Sequence, residues 1–219
     1  MIRSRSQKIL LYLLNLFFPP ACVGCGKINQ ILCPRCYSKI DFYPLPIQLN
    51  FEDKFLDDLT VCAYFLPPIS NLIKTMKYQQ FMAIGPWLGE LLFLSSNCPD
   101  IDFIVPIPMH QKKQKIRGFN QAEEICYRFA ELRNKTILPA LIKKHHFAAQ
   151  ASISSKTERK KRANEFFALS NQITLPLTGK RILLIDDVCT TGSTLNEAAK
   201  TLKLAGARWV GGLVVAKKN

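Results

Sequence analysis

Two adjacent carboxylates, Asp186 and Asp187, stand between an apolar run and a short stretch of hydroxyl residues. The apolar run, Ile182 to Ile185, is predicted to be a buried strand. A helix is predicted soon after, and the residues that lead into it are Thr190, Thr191, Gly192, Ser193 and Thr194. Glycine lets a backbone turn sharply, and the first amides of a helix point unsatisfied toward any anion there. The pattern therefore predicts an anion-binding loop beside two carboxylates.

Carboxylates next to a phosphate-binding loop repel the ligand unless it brings hydroxyl groups or a divalent cation. A sugar 5-phosphate satisfies both parts of this pattern better than a nucleoside triphosphate does. The chain has no GxxxxGK[ST] motif, which argues against an ATPase. The helix after the loop is expected from Thr194 to Leu204, with Thr194 and Glu197 at capping-box spacing and Gly206 at its carboxyl end.

The segment ILLIDDVCTTGST, residues 182–194, resembles the phosphoribosyl pyrophosphate (PRPP) loop of type I phosphoribosyltransferases. The resemblance implies that Asp186 and Asp187 hold the ribose 2- and 3-hydroxyls and act as catalytic residues. It further implies that the loop wraps the 5-phosphate, that Mg²⁺ accompanies PRPP, and that the fold is a mostly parallel sheet flanked by helices. Cys189 is interpreted as a small buried side chain and not a nucleophile, because no base adjoins it.

Four of the eight cysteines form two CxxC pairs, and the other four are scattered among apolar neighbours. The paired residues are Cys22, Cys25, Cys33 and Cys36. Each pair can fold into a tight knuckle with both sulfurs on one side, which suits tetrahedral Zn²⁺. Free thiols and an iron–sulfur cluster are the alternatives. We expect a structural zinc ion, because so short a segment cannot bury a core of its own.

Predicted strands alternate with predicted helices from residue 60 onward. These elements must position the candidate residues. Strands are predicted at TVCAYF, DFIVPI, RILLID and WVGGLVV, and helices near residues 69–76, 84–94, 121–132 and 194–204. Such alternation indicates a parallel sheet with helices packed on its faces. RILLID and WVGGLVV are almost continuously apolar, which predicts that they are the central strands.

Three units are expected along the chain: an N-terminal helix over residues 1–18, a four-cysteine zinc module and junction over 19–58, and the α/β domain over 59–219. A Pro-Pro pair ends the first helix, since proline cannot continue one. Its apolar stretch, residues 9–18, is shorter than the roughly 20 residues that span a bilayer. We expect this helix to dock on the core, with no transmembrane segment; an export signal or a membrane-surface helix is the alternative.

Further segments resemble the ComF competence-protein family, whose members pair this fold with an N-terminal cysteine-rich zinc module. They are LFFPPACVGCG, Lys77-Tyr78, the segment RGFNQ at residues 117–121, and more loosely Gln150, Arg162, Asn164 and Phe166. The resemblance implies a cytoplasmic phosphoribosyltransferase that acts in natural competence, in DNA uptake or DNA utilisation. Lys77 and Arg117 are expected on the pyrophosphate side of PRPP. No acceptor-binding element is identifiable in the sequence.

The net charge of +14 favours polyanionic partners. Residues 111–118 and 143–162 supply ten of these charges and are interpreted as solvated loops or as a polyanion contact. The second function considered is therefore a non-catalytic, PRPP-regulated competence factor that binds single-stranded DNA and the DNA-uptake machinery. A glutamine amidophosphoribosyltransferase is not expected, because the chain begins Met-Ile and has no room for a glutaminase domain.

Overall fold

The structure is a computed structural model that describes residues 19–44, 54–143, 166–171, 173 and 175–218. Its helices are α1 Pro34–Tyr37, α2 Ile69–Tyr78, α3 Ile84–Ser95, α4 Gln111–Arg117, α5 Gln121–Arg133 and α6 Ser193–Leu204. Its strands are β1 Asp58–Tyr64, β2 Phe103–Pro106, β3 Thr136–Ile137, β4 Leu141–Lys143, β5 Phe167–Leu169, β6 Arg181–Cys189 and β7 Trp209–Lys217. The strands and helices predicted for the α/β domain from sequence patterns are all present, with ends shifted by a few residues.

Five strands form one parallel sheet in the order β1-β7-β6-β2-β3. The two strands predicted to be central, β6 and β7, are central. In β7 all seven residues between the terminal Trp209 and Lys217 are buried. A parallel strand is covered on both faces, and that is why these two sequences are nearly continuous in apolar residues instead of alternating. A separate pair, β4 and β5, is antiparallel.

Helices cover both faces of the sheet, which confirms the predicted α/β class. Leu183 and Ile185 of β6 pack into one cluster with buried residues of α2, α3 and α5. Their neighbours Ile182 and Leu184 pack into a second cluster with α6. Alternate residues of one strand thus anchor opposite layers. Helices α3 and α5 approach closely at Gly89, where a side-chain methyl would come within 2.4 Å of a backbone oxygen in α5.

The cysteine module lies against the edge strand β1. The Tyr43 amide donates to the Cys62 carbonyl at 2.9 Å, and the Tyr64 amide donates to the Asp41 carbonyl at 2.9 Å. Leu32 and Ile40 are buried in the same cluster as α2 and α3. The module therefore covers an otherwise unpaired sheet edge, which shields its free backbone groups.

Several predicted features lie outside the described residues. These are the N-terminal helix over residues 1–18 and, in the second basic segment, residues 144–162, together with Gln150, Arg162 and Asn164. The other basic segment was expected as a loop, but residues 111–117 form helix α4. Among the described residues no helix is long and apolar enough to cross a membrane.

Candidate functional site

The two carboxylates sit on strand β6 at the carboxyl edge of the sheet. The strand was expected to end at Ile185, but it continues to Cys189. Its neighbour β2 ends where Pro106 pairs with Ile185, whereas pairing with β7 continues through Asp186 opposite Val214. The acid pair therefore begins where β6 loses one neighbour. In open α/β sheets, ligands bind in the crevice beyond such strand ends.

The adjacent carboxylates of Asp186 and Asp187 repel each other when both are ionised. Burial and the adjacent Asp187 charge raise the pKa of Asp186 well above its ordinary value, against the opposing effects of the Asp187 amide and Lys77. The Asp187 amide donates to Asp186 Oδ1 at 2.8 Å. Asp187 itself is buried, and its Oδ2 forms an ion pair with the Lys77 ammonium. The site thus holds two adjacent carboxylates that can accept hydrogen bonds from a ligand.

Asp186→Asn is expected to stabilise the ligand-free protein at pH 7. A carboxyl group whose pKa is raised by folding holds its proton more tightly in the folded state, so stability is lost as the pH rises above about 4. Removing the charge should abolish that loss and raise Tm at pH 7 by roughly 2–4 °C, the shift that about 1 kcal/mol produces in a protein of this size. Calorimetric scans between about pH 5 and about pH 8 would measure it.

Asp102→Asn is the matched control, with the opposite sign. The Arg181 amide and the Lys180 ammonium lower the pKa of Asp102, so its charge stabilises the folded protein above its unfolded pKa. This variant should lose stability at pH 7. A lower Tm for Asp186→Asn at pH 7 would contradict the assigned strain at the acid pair.

The two cations predicted on the pyrophosphate side contact different neighbours. Lys77, at the end of α2, forms an ion pair with Asp187. The Arg117 guanidinium lies 5.7 Å from the ring centroid of Tyr78, the residue after Lys77. Its Nη1 also donates to Gln121 Oε1 at 3.2 Å. Helix α4 thus contacts α2 through Arg117 and Tyr78 and α5 through Arg117 and Gln121, while α2 reaches the acid pair through Lys77.

The loop after β6 leaves the start of helix α6 open. The predicted capping box at Thr194 is wrong: α6 begins at Ser193, its N-cap is Gly192, and no side chain caps it. Gly192 has φ of +87°, a conformation that glycine adopts without steric cost. The predicted carboxyl-end glycine is in place, since Gly206 follows the helix with φ of +96°. The Ser193 amide donates to Thr191 Oγ1 at 3.3 Å, so an anion here would be bound by the other amides of the first turn of α6.

A small cavity of about 40 Å³ lies within this loop. Its lining comes from the end of β6, the loop and the start of α6: Asp186, Val188, Cys189, Thr190, Gly192, Ser193, Thr194 and Leu195. Thr190, Thr191, Ser193 and Thr194 are exposed, and the Thr191 and Ser193 hydroxyls lie 3.1 Å apart. Such a volume admits roughly three water molecules, which is the scale of one tetrahedral phosphate.

Cys189 and His110 lie near the site, and their contacts indicate structural roles. Cys189 is buried, and burial raises the pKa of its thiol, which agrees with its interpretation as a small side chain and not a nucleophile. His110, in the connection after β2, is the N-cap of α4, and its Nδ1 accepts from the Lys112 amide at 3.2 Å. Its imidazole therefore serves the start of that helix.

The four paired cysteines converge, as their spacing predicts. Their sulfurs all lie within 4.8 Å of one another, and the Cys25 and Cys33 sulfurs are 3.6 Å apart. Tetrahedral zinc with Zn–S bonds of about 2.3 Å requires sulfurs about 3.8 Å apart. Burial and the neighbouring thiols raise the pKa of Cys36 to about 12. The four sulfurs are therefore positioned to hold one metal ion.

Sequence reasoning did not find the pairing of Arg117 with Gln121. The two side chains belong to different helices, separated by Gly118 in the left-handed conformation. Gln121 is buried, and its Nε2 has no hydrogen-bond acceptor among the described residues. A spacing of four residues predicts a side-chain contact only within one helix. Because Gly118 ends α4 between the two residues, the sequence did not predict this contact.

Comparison with known proteins gives consistent results. Residues 122–219 match the family described as the phosphoribosyl transferase domain. Competence protein F of Haemophilus influenzae is 28% identical over 198 residues, 84% of this chain and 85% of that protein. DNA utilization protein YhgH of Salmonella typhi is 30% identical over 204 residues, 86% of this chain and 85% of that protein. The solved glutamine PRPP amidotransferase of B. subtilis, complexed with ADP and GMP, matches 59% of this chain at 19% identity and a TM-score of 0.43, and the chain spans 25% of its length.

Proposed function

Because the chain belongs to the family of competence protein F and the YhgH DNA utilization proteins, and has a type I phosphoribosyltransferase domain, we propose that its β6–α6 loop binds PRPP. The observation that carries the proposal is the combination of two elements on one segment. Strand β6 presents two adjacent carboxylates that repel each other, and the next turn presents the first amides of α6 at a cavity of phosphate size. A ribose 5-phosphate joins a vicinal diol to an anion and so complements both.

Each part of the ligand has a matching group in this proposal. Asp186 and Asp187 accept hydrogen bonds from the ribose 2- and 3-hydroxyls. The amides and hydroxyls of residues 190–194 donate to the 5-phosphate. Lys77 leaves Asp187 when the sugar binds and, with Arg117, pairs with the pyrophosphate. Carboxylate oxygens are also the ligands that Mg²⁺ prefers, and Mg²⁺ bound with PRPP would neutralise the pyrophosphate.

The proposed reaction is phosphoribosyl transfer to an acceptor that the sequence does not identify. A nucleophile attacks C1 of the ribose, the C1–O bond breaks, and the bonding electrons leave with pyrophosphate. Positive charge that develops on the sugar is stabilised by Asp186 and Asp187, and negative charge on the leaving group by Lys77 and Arg117. We place this activity in the cytoplasm, in natural competence or DNA utilisation, the processes for which the relatives are named.

Lys77→Met tests whether Lys77 contacts the pyrophosphate of PRPP and not its ribose 5-phosphate. We expect PRPP affinity to fall roughly tenfold to a hundredfold, because a charge-assisted hydrogen bond of about 1.5–3 kcal/mol is lost. Affinity for ribose 5-phosphate, which has no pyrophosphate, should be unchanged or higher, since Asp187 no longer has to release the ammonium. Isothermal titration calorimetry with each ligand in the presence of Mg²⁺ measures both effects.

Lys74→Met is the control for this experiment. Lys74 lies one turn earlier on the same helix and is exposed, so its loss should leave both affinities unchanged. If Lys77→Met weakened both ligands equally, Lys77 would act only through Asp187. Absence of any PRPP binding by the wild-type protein would contradict the proposal as a whole.

For the cysteine cluster we propose a structural zinc ion bound by Cys22, Cys25, Cys33 and Cys36. Three of these residues are buried and Cys25 is exposed. Among the described residues, no histidine, aspartate or glutamate joins these four cysteines as a further metal ligand. A closed set of four sulfur ligands leaves no open position for a substrate, so the ion would hold the module together instead of taking part in the reaction.

A second candidate function is a PRPP-regulated protein that binds single-stranded DNA. It is favoured by one observation: Tyr78 is 74% exposed, beside the Arg117 guanidinium and next to helix α4. The three lysines of α4, Lys112, Lys113 and Lys115, are all exposed. An exposed aromatic ring flanked by cations can stack on a base while the cations contact phosphates.

The DNA hypothesis predicts two separable effects in anisotropy titrations with a labelled oligothymidine. Replacing Lys112, Lys113 and Lys115 with alanine should reduce the slope of log affinity against log salt by about 2, since each phosphate contact contributes about 0.7. Tyr78→Ala should weaken binding by about 1–3 kcal/mol at every salt concentration. The control replaces three exposed bases of the cysteine module, Lys27, Arg35 and Lys39, with alanine. An unchanged slope in the α4 variant would exclude this helix from DNA binding.

A further inference from the structure

An apolar groove runs between the cysteine module and helix α3, away from the acid pair. Its volume is about 390 Å³, within the range of sites that take drug-sized apolar groups. It is lined by Leu32, Pro34, Tyr37, Trp87, Glu90, Leu91 and Leu94. The rings of Tyr37 and Trp87 meet edge to face with centroids 6.3 Å apart. Leu94 is 69% exposed, which leaves a large aliphatic side chain facing water.

The lining is unsuited to a phosphate or sugar. Glu90 is its one charged residue, and the Arg128 guanidinium already contacts that carboxylate at 3.3 Å. Among the described residues no cation lines the groove to neutralise a phosphate. Contiguous apolar surface of this kind marks a contact with another apolar segment, because its burial is favourable and its exposure is not.

We infer that the occupant is the chain's own apolar segment, residues 9–18. The described structure begins at Pro19, and the carbonyl of the next residue, Pro20, accepts a hydrogen bond from the Gln30 amide at 3.1 Å. Gln30 is two residues before Leu32, which lines the groove. The segment is therefore tethered within a few residues of the surface it is assigned to, and a short tether gives an effective concentration in the millimolar range.

The composition of the segment fits the groove. Asn15 is the single amide or charged residue in ILLYLLNLFF, residues 9–18, so the segment is almost entirely apolar in composition. Ten residues in a helix extend about 15 Å, enough to lie along a groove but not to cross a bilayer.

Hydrogen exchange of the peptide that covers residues 9–18 tests this assignment in the full chain. We expect slow exchange in the wild-type protein and roughly tenfold or faster exchange in Leu94→Asp, because a charge then replaces a leucine that the segment would bury. Leu204→Asp is the matched control: Leu204 is 77% exposed on helix α6, outside the groove, and its replacement should change nothing in this peptide. Leu13→Asp, in the segment itself, should reproduce the effect of Leu94→Asp.

Equal exchange in the wild-type protein and in Leu94→Asp overturns the assignment. So does protection that rises with protein concentration together with a doubled mass in light scattering, which would make a second copy the occupant. Protection that arises only with anionic lipid vesicles overturns it too, and would make the segment a membrane contact instead. Because Leu94 is exposed, Leu94→Asp should keep the wild-type circular dichroism spectrum, and Leu13→Asp provides the test if it does not.

Discussion

Replacing both Asp186 and Asp187 with asparagine is expected to abolish PRPP binding while leaving the fold intact. Each carboxylate can form a charge-assisted hydrogen bond with a ribose hydroxyl, worth about 1.5–3 kcal/mol, so losing both should weaken binding at least about a hundredfold. The loss of the strained charge at Asp186 should stabilise the ligand-free protein at the same time. Titration calorimetry with PRPP and Mg²⁺, beside a thermal scan, measures both quantities on the same sample.

The double variant is expected to lose PRPP affinity while its Tm stays the same or rises. This combination distinguishes loss of the binding site from unfolding. A variant that lost binding because it unfolded would show a lower Tm, whereas we expect an equal or higher one. Asp102→Asn, at the amino ends of β2 and β6, removes a carboxylate from the opposite edge of the sheet and should bind PRPP normally. If the double variant kept the affinity of the wild-type protein, the carboxylate pair would have no part in the site. Phosphate alone would then be the ligand to test against the loop.

Cys36→Ser is expected to release zinc and to lower Tm by roughly 10 °C or more, since about 3 kcal/mol or more of stability is lost. Cys36 is buried, and a serine hydroxyl there replaces a thiolate ligand with a weaker one. The module has little core of its own, and its buried Leu32 and Ile40 belong to the same cluster as α2 and α3. Loosening it should therefore expose the edge of β1 as well as the module.

Elemental analysis of the purified protein identifies the metal directly. One zinc per chain in the wild type and less in Cys36→Ser is the expected outcome. Iron with visible absorbance would instead indicate an iron–sulfur cluster. Cys98→Ser is the control, because Cys98 lies in the connection before β2 and outside the cluster. Retention of one zinc and of the wild-type Tm by Cys36→Ser would contradict a structural role for the four sulfurs.

Sequence patterns predicted correctly those features that depend on residues close together in the chain. Continuous apolar runs identified β6 and β7 as buried central strands, because a strand covered on both faces needs no polar side. The spacing of the CxxC pairs identified the sulfur cluster, since each knuckle forms within a few residues. Helix α4 was missed because it has no buried residue and hence no apolar periodicity. Its stability comes from its caps, His110 and Gly118.

The sequence by itself determined the α/β class, the carboxylate–loop–helix segment and the four converging cysteine sulfurs, all of which depend on neighbours in the chain. Only the tertiary structure decided that Lys77 meets Asp187, that Arg117 lies over the Tyr78 ring and pairs with Gln121, and that the cysteine module covers β1. These contacts join residues on different elements. Their positions follow from how the helices pack on the sheet, and no spacing along the chain encodes that packing.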